Sequence, residues 1–295
     1  MLKINSSYIY LILPFILISQ GLAVLSVILI SLITLSKIIL TKNYSIFKNK
    51  IIIYLILFNL YILISSFFSN NILISLESSI FYFRFIFFAI FISLIVNKKK
   101  DLKLFLYSLI FLVLFISIDG IFQYFSNYNL FGIEKNEEHT GRISGIFGEE
   151  LVLGSFIARI YPIVLGLSFL LNKEKIFLYS KYGIVIYIIF LLGILVSGDR
   201  TALIYFLGTT ILMTIFLTDF RKIFLIVISL STLIILLIIS INPSFKVRLI
   251  DRTLNEDLNI SAGLTNINLF TTTHEEHYKT AILVFKQSPI IGVGP

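Results

Sequence analysis

The chain has no cysteine and no tryptophan, and only five prolines and two methionines among 295 residues. Without cysteine, disulfides and thiolate metal centres are excluded. Charge is scarce too: Asp, Glu, Lys and Arg make up 14% of the chain, against roughly 25% in soluble domains. A cleavable leader is not expected. The charge-free stretch from Ile4 to Ser36 is too long for a signal-peptide core and lacks a small-residue cleavage site. It reads as two helices joined by a tight turn near "SQG", with Pro14 and Gly21 as break points.

Hydrophobic residues take the place of the missing charge, at 58% of the chain. Apolar runs recur from end to end, many near the ~20 residues that cross a hydrocarbon core. The expected fold class is an all-α, polytopic membrane helix bundle. Spans are placed at 8–19, 21–37, 51–68, 79–96, 103–122, 150–171, 183–197, 201–218 and 223–241. That is about nine transmembrane helices, each near the spanning length except the first. Residues 1–242 then form the bundle, and residues 243–295 begin a large outer loop.

The net charge of +8 could point to nucleic acid, but its placement does not. "KIILTKNYSIFKNK", "NKKKDLK", "NKEKIFLYSK" and "DFRK" hold most of the lysines. They alternate with "SNNILISLESS", "NYNLFGIEKNEEHTGRISGIFGEE" and "SGDR", which are acidic or mixed. The positive-inside rule puts the lysine-rich set in the cytoplasm. The basic charge is therefore a topology signal, and nucleic acid is not an expected partner. The outer set, with everything after Pro243, carries the polar stretches suited to chemistry.

In "HTGRISGIFGEELVLGSFIARIYP" (residues 139–162), glycines let the backbone bend as it re-enters the membrane. Arg142 serves either as an interfacial anchor or as a phosphate-binding fork beside a helix N-terminus near Glu149 and Glu150. Carboxylates there suit sugar hydroxyls, pairing with Arg142, or acid/base duty, so Glu150 is a candidate catalytic residue. Arg159 is expected to pair with Asp119 of the preceding span, because a charge at membrane depth seeks a partner. Arg84 either snorkels to the outer surface or adds a cation to the same outward cavity.

"VSGDRTALIYFLG" sets Asp199 and Arg200 in a short turn between two charge-free runs. A water-facing turn accounts for both. The short link also holds Arg200 at the membrane face, a placement that suits a lipid-borne diphosphate. Finally, "TTTHEEHYKTAILVFKQSPIIGVGP" contains His274 and His277. Their spacing of three is not that of H-E-x-x-H, and two ligands fall short of a zinc site. Each imidazole is instead a candidate general base or sugar contact.

Three of these stretches, in order, resemble the O-antigen ligase/polymerase superfamily of integral-membrane glycan-transfer proteins. "GRISGIFGEELVLGSFIARIYP" looks like the family's Arg–Gly–Phe–Gly loop entering a helix. "VSGDRTALIYFLG" looks like its short outer turn, and "HEEHYKTAILVFKQSPIIGVGP" like its "H…A…F…P…G.G" segment. Many members read Asn-Pro-Asn where this chain has "GEEL"; Glu149 and Glu150 resemble a subgroup with an acidic residue there. The family's loop continues past "GVGP" into further helices, so the resemblance implies a C-terminally incomplete chain, inactive alone.

The resemblance implies transfer of glycan from an undecaprenyl-diphosphate carrier to lipid A-core or another glycan acceptor. The reaction would need neither metal nor other cofactor, and would run on the periplasmic side of a bacterial inner membrane. Arg142 and Arg200, with Arg84, would bind the diphosphate; His274, His277 and Glu150 would be catalytic. Repeat-unit polymerisation is the alternative within the superfamily. A lipid-linked sugar transporter or flippase is the alternative outside it, but that class predicts charges near mid-bilayer and an inverted repeat.

Overall fold

The computed structural model describes residues 20–96, 99–135, 142–171, 181–241, 243–247 and 272–294. Every regular element among them is helical, apart from one isolated antiparallel bridge between Tyr128 and Glu134. The main helices are α1 (Gln20–Thr41), α2 (Lys50–Ser66), α3 (Ile72–Phe81), α4 (Phe83–Val96) and α5 (Lys99–Ser126). After a long connection come α6 (Leu153–Leu170), α7 (Lys181–Ser197), α8 (Arg200–Phe216), α9 (Arg221–Ile241) and α10 (Thr272–Gln287).

Five stretches are long and apolar enough to cross a membrane: Val24–Thr41, Ile72–Ser93, Leu102–Ser126, Leu153–Leu170 and Thr218–Ile241. Lys50–Ser66, Tyr182–Ser197 and Arg200–Phe216 are apolar but shorter. The predicted first span, 8–19, lies outside the described residues. Many large apolar side chains face outward while some polar ones are buried. On α5, Phe125 is 79% exposed while Asp119 and Gln123 are fully buried. Lipid tolerates apolar side chains on the outside, whereas polar groups at membrane depth must face a protein interior or wet cavity. These helices mark a membrane protein.

The chain divides into two compact units, one formed by α1–α4 and α10, the other by α5 from Leu102 through α9. In the first, Ile38 of α1, Ile52 of α2, and Ile86 and Ile90 of α4 make a buried core. Ser31 Oγ donates to the Arg84 carbonyl at 2.6 Å, tying α1 to α4. The α2–α3 turn is clamped by buried serines: Ser66 Oγ bonds Ser79 Oγ and the Ser75 carbonyl. These serines explain one departure from the sequence reading, which began the span at residue 79. Serine counts as a loop former because its hydroxyl competes for backbone groups. Here the hydroxyls bond helix carbonyls instead, and the helix begins at Ile72, interrupted only at Tyr82.

The C-terminal stretch, expected to begin a large outer loop, contains α10 and a turn. Its helix and the turn after it belong to the first unit. Tyr61 Oη donates to the Ile290 carbonyl, and Gly294 lies against Ser69 and Ser75. The tail is seated on the α2–α3 turn.

In the second unit, α6 packs against α7 and α8, and α9 closes over both of those. Tyr161, Tyr187 and Phe206 stack at the centre, with ring centroids 4.2 to 5.9 Å apart. The two phenols find buried partners on other helices. Tyr161 Oη pairs with Thr210 Oγ1 at 3.1 Å and Tyr187 Oη with Ser231 Oγ at 2.9 Å. Such bonds contribute about 0.6 kcal/mol each in a membrane protein. At the other end of α8, Arg221 Nε donates to the Thr214 carbonyl at 3.2 Å, satisfying a group the helix leaves open.

Candidate functional site

The described residues of the connection from α5 to α6 have little regular structure, so their backbone groups need other partners. Three buried side chains supply them. Asp119 Oδ1 accepts from the Leu130 amide at 2.9 Å. Four residues on, Gln123 accepts from the Gly145 amide at 2.7 Å and donates to the Ile133 carbonyl at 3.2 Å. Asn129 donates to the Gly145 carbonyl at 3.1 Å, and its Oδ1 accepts from the Phe131 and Ile133 amides at 2.9 and 2.7 Å. Gly145 is the meeting point. Its φ of +59° suits glycine, and a Cβ there would stand 2.9 Å from Asp119 Oδ2. That oxygen has no hydrogen-bond partner of normal geometry.

Arg142 enters this frame three residues before Gly145, through the buried Ile143 and Ser144. The arginine is half-buried. Its Nη2 donates to the Leu151 carbonyl at 3.3 Å, while its Nε is buried with no hydrogen-bond partner. Leu151 sits just ahead of α6. Helix α6 begins at Leu153, so Glu149 and Glu150 lie before the helix, exposed, on a turn made with Gly148 at φ +64°. The expectation of carboxylates at the helix start is therefore corrected: a positive-φ glycine followed by the Glu150 amide bonding back to Phe147 delays the helix.

The first turn of α6 carries Gly154, and the absence of a side chain there lets the α7–α8 turn come close. A Cβ on Gly154 would clash with Ser197 Oγ and stand 2.9 Å from Asp199 Cβ. Asp199 is the N-cap of α8: its Oδ1 accepts from the Ala202 amide at 3.1 Å. Arg200 is the first residue of α8 and is half-buried. The segment bearing Arg142 and Glu150, which leads into α6, and the Arg200 turn, distant in sequence, thus meet at the entry to α6.

Other sequence candidates lie elsewhere. Arg159 is exposed on α6 and Asp119 is fully buried in the Gly145 frame, so the expected Asp119–Arg159 pair is not made. The aspartate bonds to backbone instead. Arg84, in the other unit, is the second residue of α4, just after the break at Tyr82. Its guanidinium lies 4.9 Å from the Phe85 ring centre, and its Nε is buried without a partner. It borders a groove of about 400 Å³ with Glu77, Ser78, Phe81, Tyr82 and Phe85. His274 and His277 lie in the first turns of α10, in the same unit as Arg84. His277 is exposed. Nearby, Glu275 pairs with Lys279 at 2.7 Å, and that bond holds the ammonium above its ordinary range.

Comparison with known proteins finds no matching family model, no matching curated protein and no matching solved structure. The site is read from its chemistry. The sequence reading missed Gln123 and Asn129. The signal for Gln123 was its spacing of four from Asp119, which puts two polar side chains on one face of an apolar helix. Asn129, in a loop, gave no such signal.

Proposed function

We propose that this protein is a membrane glycan transferase of the O-antigen ligase/polymerase type. In this reading it moves glycan from an undecaprenyl-diphosphate carrier to lipid A-core or another acceptor, at the periplasmic face of a bacterial inner membrane. The observation that carries the proposal is the convergence of the Arg142 and Arg200 segments on one helix entry. Two guanidinium groups there can grip a diphosphate through bidentate, charge-assisted bonds and neutralise the charge that builds on it as the glycosidic bond breaks. Glu150, on the same segment as Arg142, would take the proton from the acceptor hydroxyl as general base. The topology proposed with this function counts the shorter helices and residues 8–19 as spans, giving about nine.

The test is a gel of surface glycans from cells lacking the gene. Bare core supports a ligase, and a single core-linked repeat supports a polymerase of the same superfamily. Precursor trapped on the cytoplasmic side would show a transporter and overturn the transferase reading, as would an unchanged ladder.

A further inference from the structure

We propose that Asp119, Gln123 and Asn129 are positioning residues that fix Arg142 for diphosphate binding, acting through Gly145. This role rests on the reading of Arg142 as a diphosphate ligand. The three side chains hold six backbone groups of the α5–α6 connection: the amides of Leu130, Phe131, Ile133 and Gly145, and the carbonyls of Ile133 and Gly145. Non-helical backbone at membrane depth requires such partners. Satisfying the backbone alone would not require convergence, yet two of the three side chains bond Gly145 itself, and Oδ2 of the third stands 2.9 Å from where a Cβ on Gly145 would be.

From Gly145 the chain runs back to Arg142 through Ile143, 1% exposed, and Ser144, 3% exposed. Both ends of the arginine are then constrained: its backbone by that buried link, its guanidinium by the Leu151 carbonyl. The Nε left without a partner is where such a constraint matters. A guanidinium offers its donors in a rigid plane, and an error of an ångström in its placement is costly for a bidentate ligand. Loosening Gly145 should therefore cost affinity without removing any group that touches the ligand.

The experiment uses the purified full chain in detergent, with farnesyl diphosphate as the probe and farnesol as its uncharged control. Gln123→Met removes both of that residue's bonds at similar volume. Gln123→Glu, protonated when buried, restores a donor and an acceptor of the same reach. Backbone hydrogen exchange of the 142–152 segment is read alongside. The result expected for Gln123→Met is faster exchange there and affinity for farnesyl diphosphate lower by ~10-fold or more, a difference readily measured. Farnesol binding should be unchanged, and Gln123→Glu should recover both properties. If Gln123→Met does not accumulate, Asn129→Ala carries the same test, since it removes the bond to the Gly145 carbonyl together with those to the Phe131 and Ile133 amides.

Faster exchange with unchanged affinity would overturn the positioning role, leaving a purely structural loop. Lower affinity with unchanged exchange would overturn it as well. A wild-type chain that does not prefer farnesyl diphosphate over farnesol would instead overturn the diphosphate reading, and this role with it.

Discussion

Gly145 shows how one residue without a side chain can anchor a polar site. Its amide and carbonyl both end on buried side-chain amides, and its φ is one that other residues adopt only with strain. Gly145→Ala should therefore destabilise the protein by about 1–3 kcal/mol, from positive φ and the clash with Asp119 together. Thermal unfolding in detergent checks this, with Gly208→Ala as control, because a Cβ at Gly208 meets nothing within 4 Å. The control should be neutral or slightly stabilising, since alanine is the better helix former. Arg142, Arg200 and the glycines around them were legible in the sequence because charge and glycine stand out in an apolar chain. Asn129 was not: an asparagine in a loop looks like any turn former until its partners are known. Nor was the fate of Asp119, since nothing in a linear sequence distinguishes a carboxylate that pairs with an arginine from one that bonds a loop amide.

At the scale of elements, "SGDR" is a short turn between two apolar helices, and the structure adds that Asp199 caps α8 and that the turn packs against Gly154 of α6. Asp199→Ala should cost about 1 kcal/mol through loss of the N-cap bond to Ala202. Gly154→Val should cost about 1–3 kcal/mol by overpacking against Ser197 and Asp199. The two effects should not add, because Gly154 and Asp199 are in contact. A double mutant measured against both singles would show it. Helix existence was legible from apolar runs, but helix starts were less so. The α3 start was hidden by serines that turn inward to carbonyls, and the α6 start by a glycine turn that holds Glu149 and Glu150 outside the helix. Both are tertiary choices that local propensity does not record.

The whole molecule is a set of apolar helices that bury some polar residues, such as Asp119 and Gln123, and its lysine-rich connections alternate with acidic or mixed ones. The membrane side was legible only as that charge pattern. Single cysteines at Asn70 and Glu150 should react with an impermeant thiol reagent in intact spheroplasts, while cysteines at Asn43 and Asp219 should be protected until the membrane is opened. The native chain has no cysteine to confuse the readout. Reversed labelling would place the arginine-bearing turns in the cytoplasm and remove the basis for an outer-face reaction. The central claim, that Arg142 and Arg200 grip a lipid diphosphate, is tested most directly by Arg142→Lys and Arg200→Lys, with glycan transfer and membrane level measured together. An ammonium keeps the charge but cannot form the planar, bidentate fork. The account predicts that each variant loses most transfer while its membrane level stays near wild type. Normal transfer by both variants, or a loss that only tracks a fall in protein level, would contradict it.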